Sequence, residues 1–160
     1  MRLLIAAVGR LKAGPERELF TRYVERAAAA GRGVGLAPID VIEIPEGQAR
    51  RPADRMAEEA AKLEAAMPKG SRRLILDARG RNLTSEEFSA RLARLRDQGA
   101  SCTVFVLGGA DGLANKVTDN ADLSISFGAA TFPHQIARIL LAEQIYRAVT
   151  ILSGHPYHRG

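Results

Sequence analysis

Hydrophobic positions along the chain alternate between two textures. Short runs rich in leucine, isoleucine and valine are separated by longer, alanine-rich stretches in which apolar residues recur at helical spacing. Five short runs read as strands: Arg2 to Val8, Ile39 to Ile44, Arg73 to Leu76, Cys102 to Leu107, and Leu123 to Ser126 or Phe127. The fourth is apolar throughout, as expected of a central strand covered on both faces. Gly14-Pro15 opens a helix of about 15 residues, with Glu16 and Glu18 placed favourably beside its N-terminal dipole and Gly31, Gly33 and Gly35 ending it. A second helix runs from Ala53 to Met67, where Met56, Ala60, Leu63 and Met67 share a face, and Pro68-Lys69-Gly70 stops it. Thr84 and Glu87 form a capping box ahead of a third helix with the buried stripe Phe88, Leu92 and Leu95. A short helix is expected from Leu113 to Asn120. The last begins with Pro133 in its first turn and continues through Ile136, Ile139, Leu140, Ile145 and Val149 to about Leu152. Strands alternating with helices predict an α/β domain built on a mainly parallel sheet.

Composition narrows the class. The 160 residues make one ordinary domain, without repeats or linkers, long enough to bury a core unaided. A hydrophobic content of 46% excludes a disordered chain. No apolar run approaches the roughly 20 residues needed to cross a bilayer, so no membrane role is expected. The single Cys102 rules out an internal disulfide framework, and no spaced Cys/His set offers a zinc site; Cys102 reads as a buried core thiol in a reducing compartment. The opening MRLLIAAV is followed by Gly9-Arg10-Leu11-Lys12 rather than a small-residue cleavage site, which favours a first strand of a cytoplasmic protein over a leader. The net charge is +5, and 19 of the 23 basic residues are arginine, whose forked guanidinium suits phosphate. An anionic partner, nucleic acid included, fits that balance.

Three segments follow strands on what would be the carboxyl edge of the sheet, where open α/β folds bind ligands: Leu76 to Gly80, Gly108 to Gly112, and Phe127 to Phe132. Their glycines let backbone groups approach a ligand closely, although each could also be a tight turn. The GGxxG spacing departs from the GxGxxG dinucleotide fingerprint, and there is no phosphate loop. All three histidines, His134, His155 and His158, fall in the last 27 residues. His134 beside Pro133 reads as a capping or packing residue with a base role as the competing reading. The aperiodic tail, residues 153–160, carries His155-Pro156-Tyr157-His158-Arg159, an aromatic, two imidazoles and a guanidinium of the kind that holds an unstacked nucleobase and its phosphate. Arg91, Arg94, Arg147 and the Arg72-Arg73 pair read as a solvated face. Glu143 is either an i,i+4 partner of Arg147 or a catalytic acid. Carboxylates are too dispersed for a metal cluster.

Taken together, Ala7-Val8-Gly9, Ile42-Glu43-Ile44-Pro45, Leu76-Asp77, Gly108-Gly109-Ala110-Asp111-Gly112-Leu113, Thr131-Phe132-Pro133-His134-Gln135, Glu143-Gln144-Ile145-Tyr146-Arg147-Ala148 and His155-Pro156-Tyr157-His158-Arg159 resemble the bacterial ribosomal RNA large subunit methyltransferase H family, in order and spacing over essentially the whole chain. The resemblance implies a single-domain parallel-sheet SPOUT fold over residues 1–160, with a C-terminal trefoil knot over about 72–152 that no periodicity argument would produce. It implies a homodimer packed through the last helix, acting with S-adenosylmethionine on N3 of a pseudouridine in the helix 69 loop of 23S rRNA, with the 70S ribosome favoured as substrate. By similarity Leu76, Gly108, Phe127, Gly128, Ala129, Ala130, Thr131 and Phe132 would line the cofactor pocket, the three loops already selected by strand ends. Tyr157, His158 and Arg159 would reach the acceptor base, with the tail of one subunit completing the site of the other.

The chemistry then asks for removal of the N3 proton or stabilisation of the anion left behind. His158 is the expected base, with His134 second; Arg159 would stabilise the charge and Tyr157 would stack or hydrogen-bond. The competing classes are a non-catalytic RNA-binding α/β protein, using the arginine surface alone, and an unrelated nucleotide-binding domain.

Overall fold

Successive side chains of a strand point to opposite faces of its sheet, and the first strand of this protein is apolar on both. The computed structural model describes residues 1–159. Its elements are β1 (Arg2–Val8), α1 (Pro15–Gly31), β2 (Ile39–Ile44), α2 (Pro52–Ala66), β3 (Arg72–Asn82), α3 (Ser85–Asp97), β4 (Cys102–Leu107), α4 (Asn115–Thr118), β5 (Leu123–Ser126) and α5 (His134–Ser153). Every strand pairing is parallel, in the order β2-β1-β4-β3-β5. All five carboxyl ends therefore lie on one edge, the geometry the sequence implied.

Strands β1 and β4, at the middle of the sheet, divide the core. Leu3, Ile5 and Ala7 of β1, with Phe105 and Leu107 of β4, face the side packed by α1, α3 and α5. Leu4, Ala6 and Val8, with Val104 and Val106, face the side packed by α2 and α4. Each of the larger of these side chains, fully withdrawn from water, contributes roughly 1.5–3 kcal/mol. Cys102 is buried among them as a free thiol. Helix α5 packs against both α1 and α3, burying Leu141, Ile145, Ala148 and Val149. That position makes it the element from which a side chain can reach either end of the sheet.

The capping box of α3 forms as expected: the Glu87 N–H donates to Thr84 Oγ1 at 3.2 Å, and the Thr84 N–H donates to Glu87 Oε2 at 2.8 Å. Three boundaries differ from expectation. Strand β3 does not stop at Leu76, because Leu76 and Arg81 both lie opposite Ile125 of β5 and residues 77–80 bulge out between them. Gly80 reads in sequence as a turn, yet here it lets the chain close back on its neighbour: a Cβ there would sit 2.6 Å from the backbone of Ile125. Helix α4 covers only Asn115–Thr118. Pro133 precedes the first residue of α5 rather than occupying its first turn, and its carbonyl accepts from Ala137 N–H at 3.0 Å. Among the described residues no helix is long and apolar enough to cross a membrane.

Candidate active site

Beyond the carboxyl ends of β3, β4 and β5 lies a cavity of about 330 Å³. Seven of the eight residues expected there line it: Leu76, Gly108, Phe127, Gly128, Ala130, Thr131 and Phe132. Ala129 belongs to the same loop but is exposed outside the lining. The Gly108–Gly112 turn closes through a Gly112 N–H to Gly109 carbonyl bond of 3.0 Å. A Cβ on Gly108 would lie 2.7 Å from the Gly112 carbonyl, so the close approach admits glycine alone. Asp111 in this turn accepts two bonds from the Arg55 guanidinium at 2.8 and 3.1 Å, while Arg55 Nη1 also donates to the carbonyls of Ala49 and Arg50. One arginine of α2 thereby ties the loop after β2 to the loop after β4.

Charge enters the cavity through Asp77, His134 and Arg138. The Arg79 side chain and backbone N–H both donate to Asp77 and hold its carboxyl below the usual range. His134, the first residue of α5, is exposed at the wall. Arg138 is 3% exposed. It donates through Nη1 to Glu43 Oε2 at 2.6 Å and through Nη2 to the carbonyls of Val8 and Gly9 at 3.1 Å each, bracing α5 against the ends of β1 and β2. Burial lowers its pKa from the ordinary arginine value against the opposing pull of Glu43. Its Nε is buried without a protein partner. Sequence reasoning had selected Asp77 within the segment Leu76 to Gly80 but missed Arg138; the available signal was a cation on the otherwise apolar face of the last helix.

The tail is docked. Tyr157 packs on Tyr146 with ring centroids 4.6 Å apart, lies under the Arg147 guanidinium at 4.9 Å, and donates its hydroxyl to Glu143 Oε1 at 3.1 Å. Burial first, then hydrogen bonding with Tyr23 and the Glu143 charge, pushes the Tyr157 pKa above the ordinary phenol value. Glu143 also accepts from Arg147 Nη2 at 2.6 Å and Nε at 2.9 Å, the i,i+4 pair the spacing allowed. His158 lies between Glu86 Oε1, 2.7 Å from Nε2, and Arg147 Nη1, 3.3 Å from Nδ1. A carboxylate only accepts and a guanidinium only donates, so these neighbours select the neutral tautomer with the proton on Nε2 and the lone pair on Nδ1. Arg159 is exposed. Arg147 and Arg138 are nine residues apart on α5, about 13 Å along its axis, so the docked tail stands well away from the cavity floor.

Residues 1–158 match the family model described as predicted SPOUT methyltransferase. Ribosomal RNA large subunit methyltransferase H of Xanthobacter autotrophicus is 62% identical over 159 residues, covering 99% of each chain. The protein of that name from Nitrobacter hamburgensis is 53% identical over the whole of both chains. This chain belongs to the SPOUT methyltransferases and, within them, to the ribosomal RNA large subunit methyltransferase H family. A probable methylase family protein from Haemophilus influenzae shares the fold, with a TM-score of 0.50 at 12% identity over 99% of this chain and 70% of that one. The SPOUT match gives the protein its reaction class, methyl transfer, and leaves the location of the site and the roles of individual side chains to be argued from geometry. Among the described residues no group of three His, Cys, Asp or Glu side chains could hold a metal ion.

Proposed function

We propose that the protein methylates N3 of a pseudouridine in the helix 69 loop of 23S rRNA, using S-adenosylmethionine, in the cytoplasm and on the 70S ribosome. The observation that carries this reading is full-length identity of 53–62% to proteins named ribosomal RNA large subunit methyltransferase H. The cavity suits the cofactor. Leu76, Phe127 and Phe132 give apolar walls for adenine and ribose, glycine backbone groups give close hydrogen-bonding positions, and the charges of Asp77 and Arg138 are already paired within the protein. When bound, S-adenosylmethionine supplies an electrophilic methyl group to an aligned acceptor.

The chain's own task is to prepare the acceptor. His158 Nδ1 is the basic atom, because Glu86 keeps the proton on Nε2. Arg159 is exposed and supplies the cation that stabilises the N3 anion. Tyr157 anchors the tail, since its ring and hydroxyl are both engaged. Among the described residues the large exposed hydrophobics are Leu19, Phe132 and Ile136, with Ile136 in the first turn of α5 and Phe132 in the loop just before it, which supports pairing of two copies through that end of the helix. In such a dimer the tail of one copy would serve the cavity of the other. The trefoil knot over about 72–152 and a single domain over 1–160 belong to the same reading.

Transfer of a labelled methyl group to 70S ribosomes and to free large subunits, each with and without prior pseudouridylation, tests it. Label is expected in 23S rRNA of pseudouridylated 70S particles; no label in any sample would overturn the reading.

A further inference from the structure

The loops that follow β1 and β2 leave the same edge of the sheet as the cavity, one and two strands from β4, or about 5 and 10 Å away. Residues 9–14 and 45–51 hold Arg10, Lys12, Arg50 and Arg51 against one carboxylate, Glu46. The loops of the opposite edge, 35–38, 67–71, 98–101 and 119–122, hold Lys69 against Asp119 and Asp122. All four cations beside the cavity are exposed, and among the described residues none of them is in an ion pair. We infer that these two loops are the contact for the RNA phosphate backbone that flanks the methylated base; the inference rests on the RNA methyltransferase reading and deepens it by assigning the docking surface to named residues.

Cations on a slack loop lose much of an ionic contact to the ordering that binding demands. Here the backbone beneath each pair is already fixed. Leu11, between Arg10 and Lys12, is buried, and its N–H donates to Glu43 Oε2 at 2.7 Å. The same oxygen accepts from Arg138, which lines the cavity. Ahead of Arg50 and Arg51, Gly47 lies so close on α2 that a Cβ would fall 2.7 Å from the Arg55 backbone. Its N–H donates to the buried Glu59 Oε1 at 2.9 Å, and the Gln48 N–H donates to Glu58 Oε2 at 2.9 Å. Arg55 holds the carbonyls of Ala49 and Arg50 on one side and Asp111 of the cavity turn on the other. One arginine per loop thus sets its distance from the cavity, while the loop's own cations stay in solvent.

Four separated cations along one edge suit a polyanion that runs past the cavity rather than a single small anion. A nucleic acid backbone repeats its charge at every step, and a guanidinium meets phosphate oxygens two at a time. Exposed arginines elsewhere are placed differently: Arg22 of α1 and Arg91 of α3 follow Glu18 and Glu87 at i,i+4, the spacing at which opposite charges offset one another. The surface lies on the copy whose cavity holds the methyl donor. It therefore leaves the acceptor base to enter between that cavity and the tail of the second copy.

Two double variants of the full chain, Arg10→Ala with Lys12→Ala and Arg50→Ala with Arg51→Ala, test the surface against 70S ribosomes. Each removes two exposed charges, so it should raise the KM for ribosomes about tenfold and lower the slope of log affinity against log salt by about one to two. The kcat and the affinity for S-adenosylmethionine should stay at wild type. Arg22→Ala with Arg91→Ala removes the same charge from helix faces and should change none of these quantities. Wild-type KM and salt slope in both loop variants would overturn the inference, as would an equal loss in the helix variant, which would make net charge the cause. A loop variant that sediments with fewer copies than wild type would assign the loops to the contact between copies and overturn it as well. Ribosome binding lost with the loop charges in a protein that methylates no ribosomal RNA would remove the methyl-transfer reading and leave the surface standing. Normal methylation by wild type with both loop variants silent would remove the surface alone.

Discussion

The cavity beyond β3, β4 and β5 and a second of about 420 Å³ beside it, which shares the strand end Ile125, Ser126, Phe127 and Gly128, are built from different materials. The first is formed by glycine and alanine loops after strands, and its few charged side chains are tied back into the protein. The second is bordered by a ring of side-chain hydrogen bonds between α3, α5 and the tail. A wall made of backbone fails when an atom is added to it. A rim made of side chains fails when a functional group is taken away, and the fold beneath need not notice.

The sharpest break should come from removing the imidazole. His158→Ala deletes the basic atom without touching the buried core, so methyl transfer to ribosomes should fall by about 10²–10⁴-fold, the range typical of a lost general base. Cofactor affinity measured by calorimetry should stay at the wild-type value. Turnover within a few-fold of wild type would return His134, which stands at the wall of the first cavity, as the candidate base.

The complementary break adds a methyl group to the first cavity. Gly108→Ala places a Cβ 2.7 Å from the Gly112 carbonyl, and a backbone atom cannot swing aside as a side-chain tip can. Overpacking of this kind costs about 1–3 kcal/mol, and a displaced turn should weaken S-adenosylmethionine binding by about 10–100-fold, since 1.4 kcal/mol is a factor of ten. Calorimetry and thermal unfolding on the same sample separate the two effects. A variant that is less stable yet binds the cofactor normally would show that this turn is scaffold only.

The cavity built from backbone was the legible one. Strand ends and glycines are local signals, and seven of the eight residues expected around the cofactor do line one space. Much of the ring was out of reach because its bonds join distant parts of the chain: Ser85 meets Gln144, and His158 meets Glu86 across 72 positions. No periodicity encodes such a meeting. The Glu143 and Arg147 pair was visible because i,i+4 spacing is itself local. The β3 bulge escaped for a related reason. Gly80 carries the same signal for a turn as for a kink that returns to its partner strand, and only the pairing of Arg81 with Ile125 distinguishes them. Arg138 shows the limit again, since its acceptors, Glu43, Val8 and Gly9, lie far from it in sequence.

A smaller effect is expected where a side chain supports the first cavity from outside. Asp111→Asn removes the charge from the paired oxygens that face Arg55 while leaving the Gly108 and Gly112 backbone unaltered. Cofactor affinity should drop a few-fold and turnover at saturating cofactor should hold. A loss as large as that of Gly108→Ala would mean that the cavity is held open by side chains after all.

Changing pH is the mildest test and compares both regions in one protein. Asp77 in the first cavity is held below the usual carboxyl range by the Arg79 side chain and N–H. A group whose folded pKa is depressed contributes stability that is present above its unfolded value and lost as pH falls through the folded one. Asp77 therefore stays ionised from about pH 9 down to about pH 5, and cofactor affinity should be flat across that interval. Glu86 is also depressed, first by a backbone N–H, then by His158 and the Thr84 hydroxyl, so it too remains an acceptor over the same interval. Cofactor affinity that falls between about pH 9 and about pH 5 in calorimetry would show that the Arg79 contacts do not hold Asp77 ionised in the first cavity.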